Sequence, residues 1–236
     1  MLPTMHVSRA VTWMVATSLL MLTPAFAGQK PKTWDPGTDP SKFTRPVDNP
    51  YFPLGSRRTL SYRATTKEGI ETLQIEVTGR TKTILGVTTR VVIETAALNG
   101  ETIEIAENWF ASDNDGNVWY FGEFTQDFDH GVPSGTAGSW QAGEDGALPG
   151  FIMKAHPMPG DTYFQEFAPG VAEDMASVMS ITKTATVMGR TLNNVLLTKE
   201  WTALEPNSVE HKSYAPAIGL ILEEKGGATL ELIEVR

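Results

Sequence analysis

The chain has 236 residues, no cysteine and a formal net charge of −9. Absent cysteine excludes a disulfide framework, thiolate metal or iron-sulfur sites, and a lipidated cysteine behind a leader. So negative a balance speaks against nucleic acid or an anionic lipid surface as partner, because phosphates require a basic face.

The first segment carries His6 and Arg9, an uncharged run over 10–26, and then Ala25-Phe26-Ala27 before Gly28. A positive start, an apolar stretch and small residues flanking a cleavage point make up a secretory signal, expected here at 1–27. A membrane anchor is the competing reading, since a span takes about 20 apolar residues. Thr12, Thr17, Ser18, Thr23 and Pro24 dilute the run, and the small-x-small end favours cleavage. No second run of spanning length follows, so the expected product is periplasmic or secreted, with no stable membrane anchor after cleavage.

Residues 28–50 hold Pro31, Pro36, Pro40, Pro46 and Pro50. Proline at that density opposes both helix and ladder, which predicts an extended arm ahead of a single domain over 51–236. From there β-branched and aromatic runs alternate with turn residues. Strands are predicted over 57–65, 70–78, 81–85, 87–98, 101–112, 117–124, 162–167, 177–188, 195–204, 209–214, 218–224 and 229–235. The turns between them include Asn99-Gly100, Asn193-Asn194 and Gly226-Gly227, pairs that tolerate positive φ and so predict antiparallel hairpins. Leu73, Ile75 and Val77 share one face of their strand. The one candidate helix is 170–178, with a turn or strand as the alternative. The stretch 127–160, rich in Gly, Ser and Pro, predicts a lid or excursion beside a site entrance.

Many strands with short turns and almost no helix predict an all-β chain, an antiparallel meander curling into a barrel or half-barrel, lipocalin-like in the broad sense. A two-sheet sandwich is the alternative.

The segments Tyr51-Phe52-Pro53-Leu54-Gly55 with Leu60-Ser61-Tyr62, then 113–123 (DNDGNVWYFGE), 156–174 and 210–220 resemble a group of secreted bacterial proteins and lipoproteins. The resemblance implies a β-rich exported domain and carries no activity with it. Ala217 departs from the glycine usual in the group, and the lipidated cysteine is missing.

Three constellations are candidates for chemistry. Asp113, Asp115 and Asn117, with Glu123 further on, place alternate oxygen-bearing side chains where they could converge on Ca²⁺. Gly116 is fourth and Phe124 twelfth, so the loop is not an EF-hand, and a plain hairpin turn explains the same residues. His156, Glu173, Asp174 and His211, with Asp161, Glu166 and Glu210 near them in sequence, are the candidate catalytic or metal-binding groups of a hydrolase or lyase. No ligand-spacing motif joins them, so their convergence depends on the fold. Trp119, Phe121, Trp140 and Trp201 are the candidate aromatic lining of a barrel mouth that holds a small ligand. The two function classes that survive are therefore an exported small-ligand-binding protein, with a structural calcium ion as an option, and a secreted or periplasmic enzyme. Nothing in the sequence assigns an oligomeric state.

Overall fold

The structure is a computed structural model in which residues 34–236 are described; the expected signal at 1–27 lies outside the described residues. Apart from one turn of 3-10 helix, Pro40–Phe43, the described elements are strands. The N-terminal half is a meander of β1 (Arg58–Thr65), β2 (Ile70–Ile84), β3 (Val87–Leu98), β4 (Glu101–Ser112) and β5 (Val118–Asp129). The segment 127–160 adds β6 (Val132–Gly135), β7 (Trp140–Gln141) and β8 (Leu148–Met153), all antiparallel to β5. Next come β9 (Thr162–Phe164) and β10 (Glu166–Phe167). A second meander follows: β11 (Asp174–Val187), β12 (Arg190–Thr202), β13 (Val209–Ala215), β14 (Gly219–Lys225) and β15 (Ala228–Val235).

The two meanders join where β15 pairs antiparallel with β1. They meet again at their far edges, where β9 pairs with β11 and the next residues, β10, pair with β8. One path of 13 strands thus runs around a nearly closed barrel, with β6 and β7 as side branches. Closure removes the exposed edges that an open sheet of this width would present. The sandwich alternative does not occur.

Local differences from the sequence reading have simple causes. Residues 70–78 and 81–85 form one strand, because the register shift between Val77 and Thr81 bends β2 without ending it. The hairpin after β11 turns at Met188-Gly189, with φ of 51° and 69°, and not at Asn193-Asn194, which lie inside β12. No helix forms over 170–178: residues 170–173 make a turn, and Asp174 already begins β11. The stretch 127–160 is built into the sheet, with Trp140, Ala142 and Ala147 buried, and is not a lid.

The arm is docked. The Val47 amide donates to the Asp113 carbonyl, the Arg45 amide to Asn114 Oδ1, and Asn114 Nδ2 to the Ser41 carbonyl. Phe43 then sits on Trp119 and Phe121, ring centroids 5.7 Å from each. Tyr120, between those two, faces the barrel interior; β5 is therefore covered on both sides, which the consecutive aromatics Trp119-Tyr120-Phe121 require.

Candidate ligand-binding interior

Every strand presents alternate side chains to the inside, and the pairing registers show which ones share a level. Arg58, Leu60, Tyr62 and Ala64 of β1 face Val77, Ile75, Leu73 and Glu71 of β2. Val92, Glu94 and Ala96 of β3 follow, then Asn108, Ala106 and Glu104 of β4, then Glu123, Thr125 and Asp127 of β5. On the other side Ala176 and Val178 meet Glu200 and Thr198, which meet Glu210 and Lys212, which in turn meet Lys225 and Glu223. Tyr163 joins at Ala176.

These rows give the barrel two unlike ends. The end bearing the turns at 85–86, 113–117 and 216–218 is apolar. There the Phe52 ring lies 5.0 Å from Phe110, and the Tyr62 hydroxyl donates to the Leu220 carbonyl at 2.9 Å. A cavity of about 30 Å³ lies among Phe52, Arg58, Tyr62, Glu94 and Leu220. That is room for about two waters.

The end bearing the turns at 66–69, 99–100, 203–208 and 226–227 is acidic. Lys212 Nζ is 2.8 Å from Glu200 and 3.3 Å from Glu210, and Lys225 also reaches Glu210. Thr198 donates to Glu200 at 2.7 Å, and the Trp140 indole to Glu166 Oε2 at 2.8 Å. The Tyr120 hydroxyl donates to Asn108 Oδ1. Between these sit buried polar atoms with no hydrogen-bond partner among the described residues: both carboxylate oxygens of Glu223, Asp174 Oδ2, the Tyr163 hydroxyl and Asn108 Nδ2. Glu223 is wholly buried.

Burial dominates the ionisation of this set, because removing a carboxylate from water disfavours its charged form. It pushes Glu94 and Asp174 up to about 7, Glu223 and Glu123 to about 8, and Glu104, which faces Glu123 and Asp127 as well, to about 9. Glu166 is raised well above the carboxylate range by burial and by Asp174. Glu210 goes the other way: burial would raise it, but Lys212 and Lys225 outweigh that and hold it at about 2. Lys212 is buried, yet Glu200, Glu223 and Glu210 keep its ammonium charged.

The residues singled out by sequence are distributed otherwise. Asp113 spends its carboxylate on its own turn: Oδ1 accepts from the Asp115 and Asn117 amides, Oδ2 from Asn117 Nδ2 and Trp119 Nε1. Asp115 is exposed, Asn117 Oδ1 accepts from the Ala155 amide, and Glu123 lies inside the barrel. Among the described residues no group of three or more His, Asp or Glu side chains is placed to hold a metal ion. The loop's visible work is to anchor the arm.

The catalytic candidates do not meet either. His156 is exposed in the turn after β8, and the Glu173 carboxylate accepts from the Gly170 amide. His211 alternates with Glu210 and Lys212 and so faces outward, opposite Lys199 and Glu224. Of these four only Asp174 points into the acidic interior, where Glu166 and Glu210, named with them, also lie. Of the four aromatics, Trp119 and Phe121 lie between sheet and arm, and Trp201 carries Lys199 on the outer face, 5.6 Å from its ring. Trp140 alone reaches the interior, 5.4 Å from Tyr120.

The residues missed by sequence reading are Glu94, Glu104, Glu200, Lys212 and Glu223. A parity signal was available for Lys212, which shares the face of Tyr214, just as the inward Glu71 shares that of Leu73, Ile75 and Val77.

No family model and no curated protein matches the chain. Among solved structures it is similar to a candidate exported protein with a YmcC-like fold from Bacteroides fragilis, at 16% identity and a TM-score of 0.42, over 83% of this chain and 99% of that one. It is also similar to a candidate lipoprotein from Parabacteroides distasonis, at 9% identity and a TM-score of 0.44, over 80% of this chain and 100% of that one.

Proposed function

We propose that this chain is an exported small-ligand-binding protein whose ligand occupies the acidic half of the barrel interior. Export rests on the signal pattern at 1–27. The binding reading rests on one observation: Glu223, Asp174, Tyr163 and Asn108, inward-facing residues of β14, β11, β9 and β4, each carry buried polar atoms with no hydrogen-bond partner among the described residues. An unsatisfied buried polar group costs about 1–3 kcal/mol, and native interiors hold few of them. Several on one inward face therefore mark a place where another molecule completes the hydrogen bonding.

Native mass spectrometry of protein purified without denaturation tests this. A stoichiometric non-covalent adduct, released on heating, is expected. A bare polypeptide mass, together with a crystal structure in which ordered waters bond to all four side chains, would show a hydrated interior and overturn the proposal.

A further inference from the structure

The chemistry of the partnerless atoms restricts what can complete them. Both oxygens of Glu223 and the Oδ2 of Asp174 are acceptors once ionised, and the Tyr163 hydroxyl also accepts. Only Asn108 Nδ2 is solely a donor. The region thus lacks donors more than acceptors.

The count of ionisable groups is one-sided as well. Glu94, Glu104, Glu123, Glu166, Asp174 and Glu223 all face the interior, whereas the two lysines of the acidic half are already engaged, Lys212 by Glu200 and Glu210 and Lys225 by Glu210. A further inward cation, Arg58, lies at the apolar end on backbone carbonyls. The carboxyl groups are spread over β3, β4, β5, β10, β11 and β14, and they do not close on one point. That spacing suits several N–H donors carried along a chain, not a single metal ion with its compact oxygen shell.

We infer that the ligand of this barrel is a short organic polycation, an alkyl diamine or polyamine, whose ammonium groups are held by Glu223 and Asp174. The inference rests on the ligand-binding reading above. The small inward residues beside the carboxyl rows are Ala64, Ala96, Ala106 and Ala176, and the methylene chain is assigned to run along them. A primary ammonium offers three donors to the acceptors that lack them. Because burial holds several of these carboxyls protonated near neutrality, seating the cation displaces protons to solvent, and affinity rises with pH.

Isothermal titration with putrescine and, in parallel, with 1,4-butanediol separates charge from length. Putrescine is expected to bind one-to-one and raise Tm, and the diol to do neither. Glu223→Gln and Asp174→Asn should each weaken putrescine at least about tenfold, whereas the outward Glu231→Gln should leave it unchanged. The diol comparison uses the unaltered protein and so does not depend on how the variants fold. Binding of the diol but not of putrescine would discard the polycation and keep a ligand site. A response to CaCl₂ alone would replace the polycation by a metal. Equal weakening by Glu231→Gln would reduce the effect to general charge screening and overturn the assignment. Silence from all three probes would overturn it too; a co-purified adduct would then still support a ligand site, and its absence would remove both readings.

Discussion

The two ends of the barrel share one backbone plan and differ in what their strands point inward. At the end near Phe52 the inward side chains are Leu60, Tyr62, Ile75, Val77, Val92 and Phe110, and the void among them holds no more than about two waters. There the Tyr62 hydroxyl and two of the three Arg58 guanidinium nitrogens end on backbone carbonyls, and only the Arg58 Nε among these groups lacks a partner among the described residues. At the other end strands of the same length and pairing carry carboxylates at inward positions, and several atoms have no partner. Fold stability needs only the first kind of packing. The second kind costs stability, so it marks the region whose composition answers to something other than folding.

Two substitutions set the ends against each other. Phe110→Ala removes a ring that packs edge-on against Phe52 and at a tilt against Tyr120, with centroids 5.0 and 4.5 Å away. It should lower stability by about 3–5 kcal/mol, by the same amount at acid and alkaline pH, in urea titrations followed by tryptophan fluorescence. Lys212→Met removes the cation from between Glu200, Glu210 and Glu223 and should cost about 3 kcal/mol near pH 8. That loss should shrink toward about pH 5, as the abandoned carboxylates take up protons instead. A pH-independent Lys212 deficit would mean that the acidic end is held by packing, like the other.

The unaltered protein gives the next effect. Glu94 at about 7, Glu123 and Glu223 at about 8 and Glu104 at about 9 all titrate above their unfolded values. A raised carboxyl contributes stability that is complete below the unfolded pKa and is lost as pH rises through the folded one. Glu210, held at about 2, works oppositely: its contribution is present above the unfolded pKa and is lost only as pH falls toward 2. The sum places maximum stability near about pH 4–5, with Tm falling by about 5 °C or more by pH 9. Calorimetry across that range decides it, and a maximum above neutrality would contradict the protonated interior.

Much of the barrel could be read from the chain because its signals are local. Asn99-Gly100 turns as its dipeptide predicts, with φ of 53° and 89°, and the strands on either side of it match the reading residue for residue. Where a non-glycine residue carries the positive φ, as Leu85, His130 and Met188 do, the dipeptide is less distinctive and Asn193-Asn194 competed for the turn. The site was less legible because it is a property of closure. Glu94, Glu123 and Glu223 are ordinary strand glutamates until β15 meets β1 and the segment 162–167 joins the far edges. Histidine and Asp-x-Asp-x-Asn spacing drew attention to His156, His211, Asp113 and Asp115 in turns and on the outer face, as well as to Glu123, Glu166, Asp174 and Glu210 inside, since motif reading weighs neighbours in sequence and the interior assembles neighbours in space.

The smallest expected effect concerns where the two ends communicate with the outside. Trp34 lies across the closing segment: its ring centroid is 6.1 Å from Phe151 on β8 and 5.5 Å from Phe164 on β9, and its indole donates to the Pro149 carbonyl at 3.0 Å. Those strands flank Glu166 and Asp174, so the arm braces the seam nearest the acidic interior. Trp34→Ala removes two ring contacts and one hydrogen bond, about 1–2 kcal/mol in all. Such a loss is too small to unfold the barrel but sufficient to raise local opening. Amide exchange over 162–167 should accelerate several-fold while β3 and β4 keep their protection, because local opening draws on local contacts and global unfolding does not. If exchange rises equally in β3 and β4, the arm supports the whole barrel; if it rises nowhere, the seam is closed by its own strand pairing and Trp34 merely rests on it.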